Sequence, residues 1–308
     1  MTRDLAKLNA QIFAAIYKIQ NFYERELFIN CKMALDDIRA ALSKVYERYA
    51  KAGKLTNAEM TKYNRMMNLH TELTDILGPT FSRNGRLIEK LSAVQYDEAF
   101  FRTEWAIDQH TGVALKWGLV KKEAVDAAVK MQAWRDLKKI GIQNASRETM
   151  VRIDRAVTQS LIRGDSYPKM AKGIKAVLDK TASSYITIAR TEGQRAAVMG
   201  QQQVIEQARD KLDIDVEEIW DATLDGRTRP EHGALDGKAA DPEKGWYVPA
   251  LGTWVAGPMQ SGEPSFDINC RCRVRPQIKG YGPKVRRIRD EGVVDYQTYD
   301  EWAKTHAK

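Results

Sequence analysis

The chain has 308 residues, 43% of them apolar and 29% charged, with a formal net charge of +8. That balance excludes a fully disordered chain, and the length accommodates one large domain or two ordinary ones. No window approaches 18 uninterrupted apolar residues, the N-terminus MTRDLAKLNAQIFAAIYK lacks the apolar core of a signal peptide, and three cysteines suit a reducing compartment better than a disulfide framework.

From Leu5 to Tyr49, apolar residues recur in steps of three and four, at Leu5, Leu8, Ile12, Ile16, Ile19, Tyr23, Leu27, Cys31, Leu35, Ile38, Leu42, Val45 and Tyr49. This spacing predicts a single helix of about 48 residues, roughly 70 Å long, with one apolar stripe. Such a helix needs a partner along its length: the next helix in a hairpin, or another subunit in a coiled coil. Gly53 reads as a C-cap, and Thr56 with Glu59 has capping-box spacing. An antiparallel return is expected over 57–77, with Gly78-Pro79 as its stop. Further helical patterns cover about 84–110, 120–140 and 146–163; Asp165-Ser166 opens one that runs to Leu178, and a last one covers 182–208.

The character changes near Asp213. Val216–Trp220, Trp246–Val248 and Asn269–Val274 read as short strands, and Asp225-Gly226 as a tight turn. The expected fold class is α+β, mostly α. A helical N-terminal region spans 1–140, helices followed by a small β-rich module span 145–280, and a tail over 281–308 is basic, then acidic and aromatic, with room for one helix.

Several residues could carry chemistry. Cys270 and Cys272 are two apart, so on a strand both thiols face the same side, and a C-x-C pair rarely closes its own disulfide. Together with His232 they supply three zinc ligands, with Asp236 or Asp225 as the nearest candidates for a fourth; a zinc held there would be structural. The competing reading is two small thiols packing a strand and a histidine capping a loop. Arg227, Arg229 and His232, following the Asp225-Gly226 turn, form a donor-rich cluster that could bind phosphate or a nucleotide. Ion pairs with Asp221, Asp225 and Asp236 that staple an irregular loop are the preferred reading. Arg190 and Glu192 are two apart on a helix and do not share a face, so each is expected to find its partner elsewhere, across the boundary with the β module.

From Arg273 to Arg289 there are seven basic residues and no acid: Arg273, Arg275, Lys279, Lys284, Arg286, Arg287 and Arg289. Such a run suits sequence-independent contact with double-stranded DNA; the alternatives are a solvated tail or a strap on an acidic partner surface. Catalytic motifs are lacking: there is no G-x-S-x-G, H-E-x-x-H, P-loop or G-x-G-x-x-G, and His70, His110 and His306 stand apart. No base is paired with a nucleophile, and no enzyme is expected.

Four phrases carry a resemblance: L-I-R-G-D-S-Y-P-K-M-A-K (161–172), I-A-R-T-E-G-Q-R-A (188–196), W-D-A-T-L-D-G-R-T-R-P-E-H-G-A-L-D-G (220–237) and I-N-C-R-C-R-V (268–274). In order and spacing they resemble the minor head (head-morphogenesis) proteins of tailed phages, the Mu F-like family, over about 145–276. The resemblance implies a low-copy virion component inside the capsid, assembled in the bacterial cytoplasm. It also implies partners in the portal and other capsid proteins, and contact with packaged DNA or a part in its ejection. The alternative is a zinc-dependent enzyme acting on nucleotides or nucleic acid, a nuclease or an ADP-ribosyl transferase-like protein. The helical N-terminal half matches no family motif.

Overall fold

A computed structural model describes residues 4–120, 122–130, 132–280, 284–288 and 292–306. Helix α1 spans Leu5–Tyr49, and the stripe read from the sequence is its buried face: Leu5, Leu8, Ile12, Ile16, Tyr23, Leu27, Cys31, Leu35, Ile38 and Leu42 are all buried. After the turn at Gly53, the short helix α2 (Asn57–Thr61) starts where the capping signal sits, with Thr56 Oγ1 accepting the Glu59 N–H. A single 3₁₀ turn with Tyr63 in the left-handed region leads into α3 (Arg65–Thr111). Then follow α4 (Lys122–Lys130), α5 (Gln132–Arg163) and α6 (Tyr167–Leu212).

The helices are longer than their local signals. Gly78-Pro79 does not stop the return: α3 continues through both residues. Gly78 has no Cβ to meet the proline ring, and Asp75, whose carbonyl loses its N–H partner to Pro79, is an exposed residue. The core holds the helix together, because Leu73 and Leu77 before the proline and Ile88 and Leu91 after it are fully buried. Likewise α6 passes through 179–181 without a break. There the Thr181 hydroxyl donates to the Val177 carbonyl and meets Thr149 Oγ1 at 2.7 Å in a buried contact.

Two compact units emerge, each assembled from separate stretches of chain. One comprises Phe22–Glu89 and Asp136–Ala189; the other comprises Met1–Asn21, Lys90–Arg135 and Arg190–Lys308. In the Phe22–Glu89 unit, Leu35, Ile38 and Leu42 of α1 pack with Leu69, Leu73 and Leu77 of α3, Ile153 and Val157 of α5, and Ile174 and Leu178 of α6. Buried amides register α1 against α3, with Asn30 Nδ2 donating to Asn84 Oδ1 at 2.8 Å. The partner that the long helix needs in this unit is therefore its own chain.

In the other unit Leu8, Ile12 and Ile16 pack on Ala99, Ala106 and Ala197. Small residues let α6 approach α3 closely: a Cβ on Gly200 would lie 2.4 Å from the Tyr96 carbonyl oxygen. The β-rich module belongs to this unit. Strand β1 (Val216–Asp221) pairs antiparallel with β4 (Arg273–Ile278), Trp220 opposite Val274. Between them lie α7 (Pro230–Gly233), the hairpin of β2 (Trp246–Val248) and β3 (Thr253–Val255), and α8 (Pro264–Asp267). Trp220, fully buried, packs edge-on against Trp246 at 5.4 Å between ring centroids. The terminal stretch is more than a tail. It forms a second hairpin, β5 (Val285–Ile288) with β6 (Gly292–Asp295), and helix α9 (Tyr299–His306), whose Trp302 is buried with Leu224 and Ile288. Two short facing strands, like the Asn269–Val274 strand itself, have too weak a local signal to be placed accurately: that strand starts only at Arg273, because α8 and a left-handed Asn269 (φ 57°) occupy the residues before it.

Candidate functional site

Pro230, pre-set for a first helical turn, opens α7 and carries His232 into the interior, 2% exposed. The imidazole lies over the Phe266 ring, 4.0 Å between centroids, with Trp220 edge-on at 6.1 Å. Its Nδ1 faces two sulfurs, Cys272 Sγ at 3.3 Å and Cys270 Sγ at 3.4 Å. The ligand atoms of all three residues lie within 4.8 Å of one another, and all three side chains are buried. The sequence brings these residues together by a different route from the expected strand. Asn269 reverses the chain after α8, the Cys270 N–H donates to the Asp267 carbonyl, and the Cys272 N–H donates back to Cys270 Sγ at 3.4 Å. The thiols thus converge through a turn, not through the pleat.

Their environments differ. The hydrogen bond from Cys272 draws the Cys270 thiol below its ordinary pKa despite burial, whereas burial pushes Cys272 well above it. A neighbouring pair of this kind shares one negative charge more readily than two. Asp267, fully buried, spends its carboxylate on the Ser261 and Gly262 N–H groups, and burial raises its pKa.

The two aspartates expected as a fourth metal ligand are committed to other partners. Asp236 accepts from the Ala222 N–H at 2.7 Å, from the Tyr299 N–H at 2.7 Å and from both Nη atoms of Arg286. Asp225 is clasped by both Nη atoms of Arg271, which hold its carboxyl down to about 2, and it also accepts the Arg227 N–H. Gly226 sits inside the turn closed by the Thr228 N–H on the Asp225 carbonyl. Arg227 makes a 3.5 Å bridge to Asp225 and is 68% exposed, while Arg229 donates to the Phe266 and Ile268 carbonyls. Above the trio lies a polar cleft of about 20 Å³, rimmed by Thr223, Arg227, Thr228, Arg229 and Arg271.

Glu192 is also placed differently from expectation. It pairs with Arg195 on its own helix at 2.9 Å, with both side chains almost inaccessible, while Arg190 is exposed. The spacing of three between Glu192 and Arg195 is the signal that would have found this pair. Thr191 was not singled out either; its hydroxyl accepts the Asn269 N–H and so joins α6 to the turn carrying the cysteines.

Among the described residues of the basic run, Arg273, Arg275 and Arg286 are drawn inward. Arg273 lies over the Phe13 ring at 4.1 Å and the Tyr17 ring at 5.0 Å. Arg275 is buried, donates to Gln277 and sits 5.7 Å from the Tyr296 ring. Arg286 lies between Asp221 and Asp236; burial pulls its pKa down, but the two carboxylates outweigh it and hold the group above its ordinary value. Lys279 makes a loose, exposed bridge to Asp215, and Lys284 is exposed. The Arg287 side chain and Arg289 lie outside the described residues. Alternation on β4 turns Arg273 and Arg275 inward, and the buried carboxylates draw in Arg286, which a charge count along the sequence does not register.

Residues 151–275 match the family described as Phage Mu protein F like protein. The chain is similar to the minor head protein GP7 of Bacillus phage SPP1, 29% identical over 275 residues, covering 88% of each chain. It is also similar to a protein of Enterococcus faecalis named NAD(+)–arginine ADP-ribosyltransferase EFV, 26% identical over 281 residues, covering 91% of this chain and 56% of that one. No solved structure matches the chain. The segment that bears the four phrases and the His232–Cys270–Cys272 trio is thus the part of the chain that matches the Mu F-like family.

Proposed function

We propose that the protein acts in head morphogenesis of a tailed phage, as a minor component inside the capsid, assembled in the host cytoplasm and seated against the portal and other capsid proteins. The observation that carries this reading is the extent of the likeness to minor head protein GP7. It covers 88% of both chains, well beyond the 151–275 segment. The transferase name weighs less, since this chain spans only 56% of that protein. The site supports the assembly reading too. Its carboxylates are spent on internal pairs, Asp225 with Arg271 and Asp236 with Arg286. Among the described residues, no helix is long and apolar enough to cross a membrane.

A structural zinc at His232, Cys270 and Cys272 belongs to this reading. In a tetrahedral site with Zn–N and Zn–S bonds of ordinary length, nitrogen and sulfur lie ~3.6 Å apart. The trio holds them at 3.3 and 3.4 Å, so a small outward movement admits the ion. Zinc would clip α7 to the turn before β4 in a module whose sheets have two strands each. Contact with packaged DNA is a further part of the proposal, now resting on the exposed Lys279 and Lys284 together with Arg287 and Arg289, and not on Arg286.

The experiment is a composition analysis of procapsids and DNA-filled heads from a phage encoding a tagged copy, with co-sedimentation against purified portal rings. The proposal expects a few copies per particle and co-sedimentation with portal. Absence from both particle types would end it. NAD turnover by the purified chain that is lost in His232→Ala would favour the enzyme instead.

A further inference from the structure

We infer that the fourth position of a zinc held by His232, Cys270 and Cys272 is filled by one exchangeable solvent-derived ligand, water or a small anion, and not by a side chain. The inference rests on the zinc reading above and concerns its coordination.

The first argument is the supply of ligands. Among the described residues, the cluster of metal-competent atoms consists of His232, Cys270 and Cys272. Each nearby carboxylate is already committed: Asp236 to Arg286 and two backbone N–H groups, Asp225 to Arg271, and Asp267 to the N–H groups of Ser261 and Gly262. Recruiting Asp236 would leave Arg286 facing Asp221 alone in a buried site, and recruiting Asp267 would strand two N–H groups. A tetrahedral ion on three protein ligands keeps one open vertex.

The second argument is space. The cleft over the trio measures about 20 Å³. One water needs ~10–15 Å³ measured the same way, so the cleft has room for a solvent-derived ligand directly over the trio.

The third argument is charge. Two thiolates neutralise Zn²⁺, so the ion brings no net charge into the interior. The rim then carries three arginines, Arg227, Arg229 and Arg271, against Asp225. Arg229 is anchored on two carbonyls and Arg271 on Asp225, so a cationic mouth is held over the open vertex and favours a small anion there.

The test uses the full chain with Co²⁺ in place of zinc. The inference expects a thiolate-to-cobalt charge-transfer band, four-coordinate visible bands, and a saturable shift of the visible bands when azide is added. Asp267→Asn and Asp236→Asn should leave the cobalt spectrum in place. Bands that ignore azide, or that collapse in either aspartate variant, would overturn the inference while leaving the metal site standing. Failure of the wild-type chain to bind either cobalt or zinc would instead remove the zinc reading, and the inference with it.

Discussion

Asp236 and Arg286, 50 residues apart, form a buried two-pronged ion pair, with Nη1 to Oδ2 at 2.6 Å and Nη2 to Oδ1 at 2.9 Å. The pair ties the terminal hairpin β5–β6 to the loop behind β1, and the same carboxylate caps the Tyr299 N–H at the start of α9. It turns what reads as a solvated basic tail into part of the module.

Removing one partner strands the other in a site where water cannot compensate. Arg286→Ala should therefore lower the unfolding free energy by ~3–5 kcal/mol. Urea denaturation of the two proteins measures this directly. A loss no larger than that of an exposed control such as Lys284→Ala would show that the pair does not hold the hairpin.

Metal analysis of the purified chain should give about one zinc per chain, in keeping with a single Cys₂His site. Changing Cys270 and Cys272 together to Ser should abolish it, and a chelator should lower the Tm of the wild-type chain but not of the double variant. A wild-type Tm indifferent to chelation would sink the structural role.

The Asp225–Arg271 clasp predicts an acid limb. Arg271 holds the Asp225 carboxyl down to about 2, below its unfolded value, so the stabilisation is complete above about pH 4 and fades as pH falls toward 2. In Asp225→Asn that part of the stability loss should disappear. Thermal melts from pH 5 downward, compared between the two chains, check it; parallel curves would count against the clasp.

Gly200 marks the closest approach of α6 to α3, and a methyl there would meet the Tyr96 carbonyl at 2.4 Å. Gly200→Ala gains helix propensity of ~1 kcal/mol at an ordinary position. Here backbone meets backbone, so the variant should instead be destabilised, by about 1–3 kcal/mol. A stabilised variant would mean that the two helices do not pack this tightly.

The helical half was legible because a 3.6-residue repeat is a local property. The stripe from Leu5 to Leu42 is the buried face of α1, and Thr56 caps where its spacing says it should. The candidate trio was legible by residue type alone, since soft and imidazole donors are scarce in this chain. Its geometry was not, because a left-handed Asn269 and a four-residue helix set it, and neither has a strong sequence signal.

By itself, then, the sequence determined the mostly helical α+β architecture, the likeness of 151–275 to the Mu F-like family and which side chains are suited to metal. Only the tertiary structure decided that α3 runs through Gly78-Pro79, that Glu192 pairs with Arg195, and that Asp236 serves Arg286 and not the cysteines. The physical reason is one of range. Periodicity and capping act within a turn or two of chain, whereas burial on both sides of a breaker and the neutralisation of a buried charge depend on residues brought together from 50 positions away.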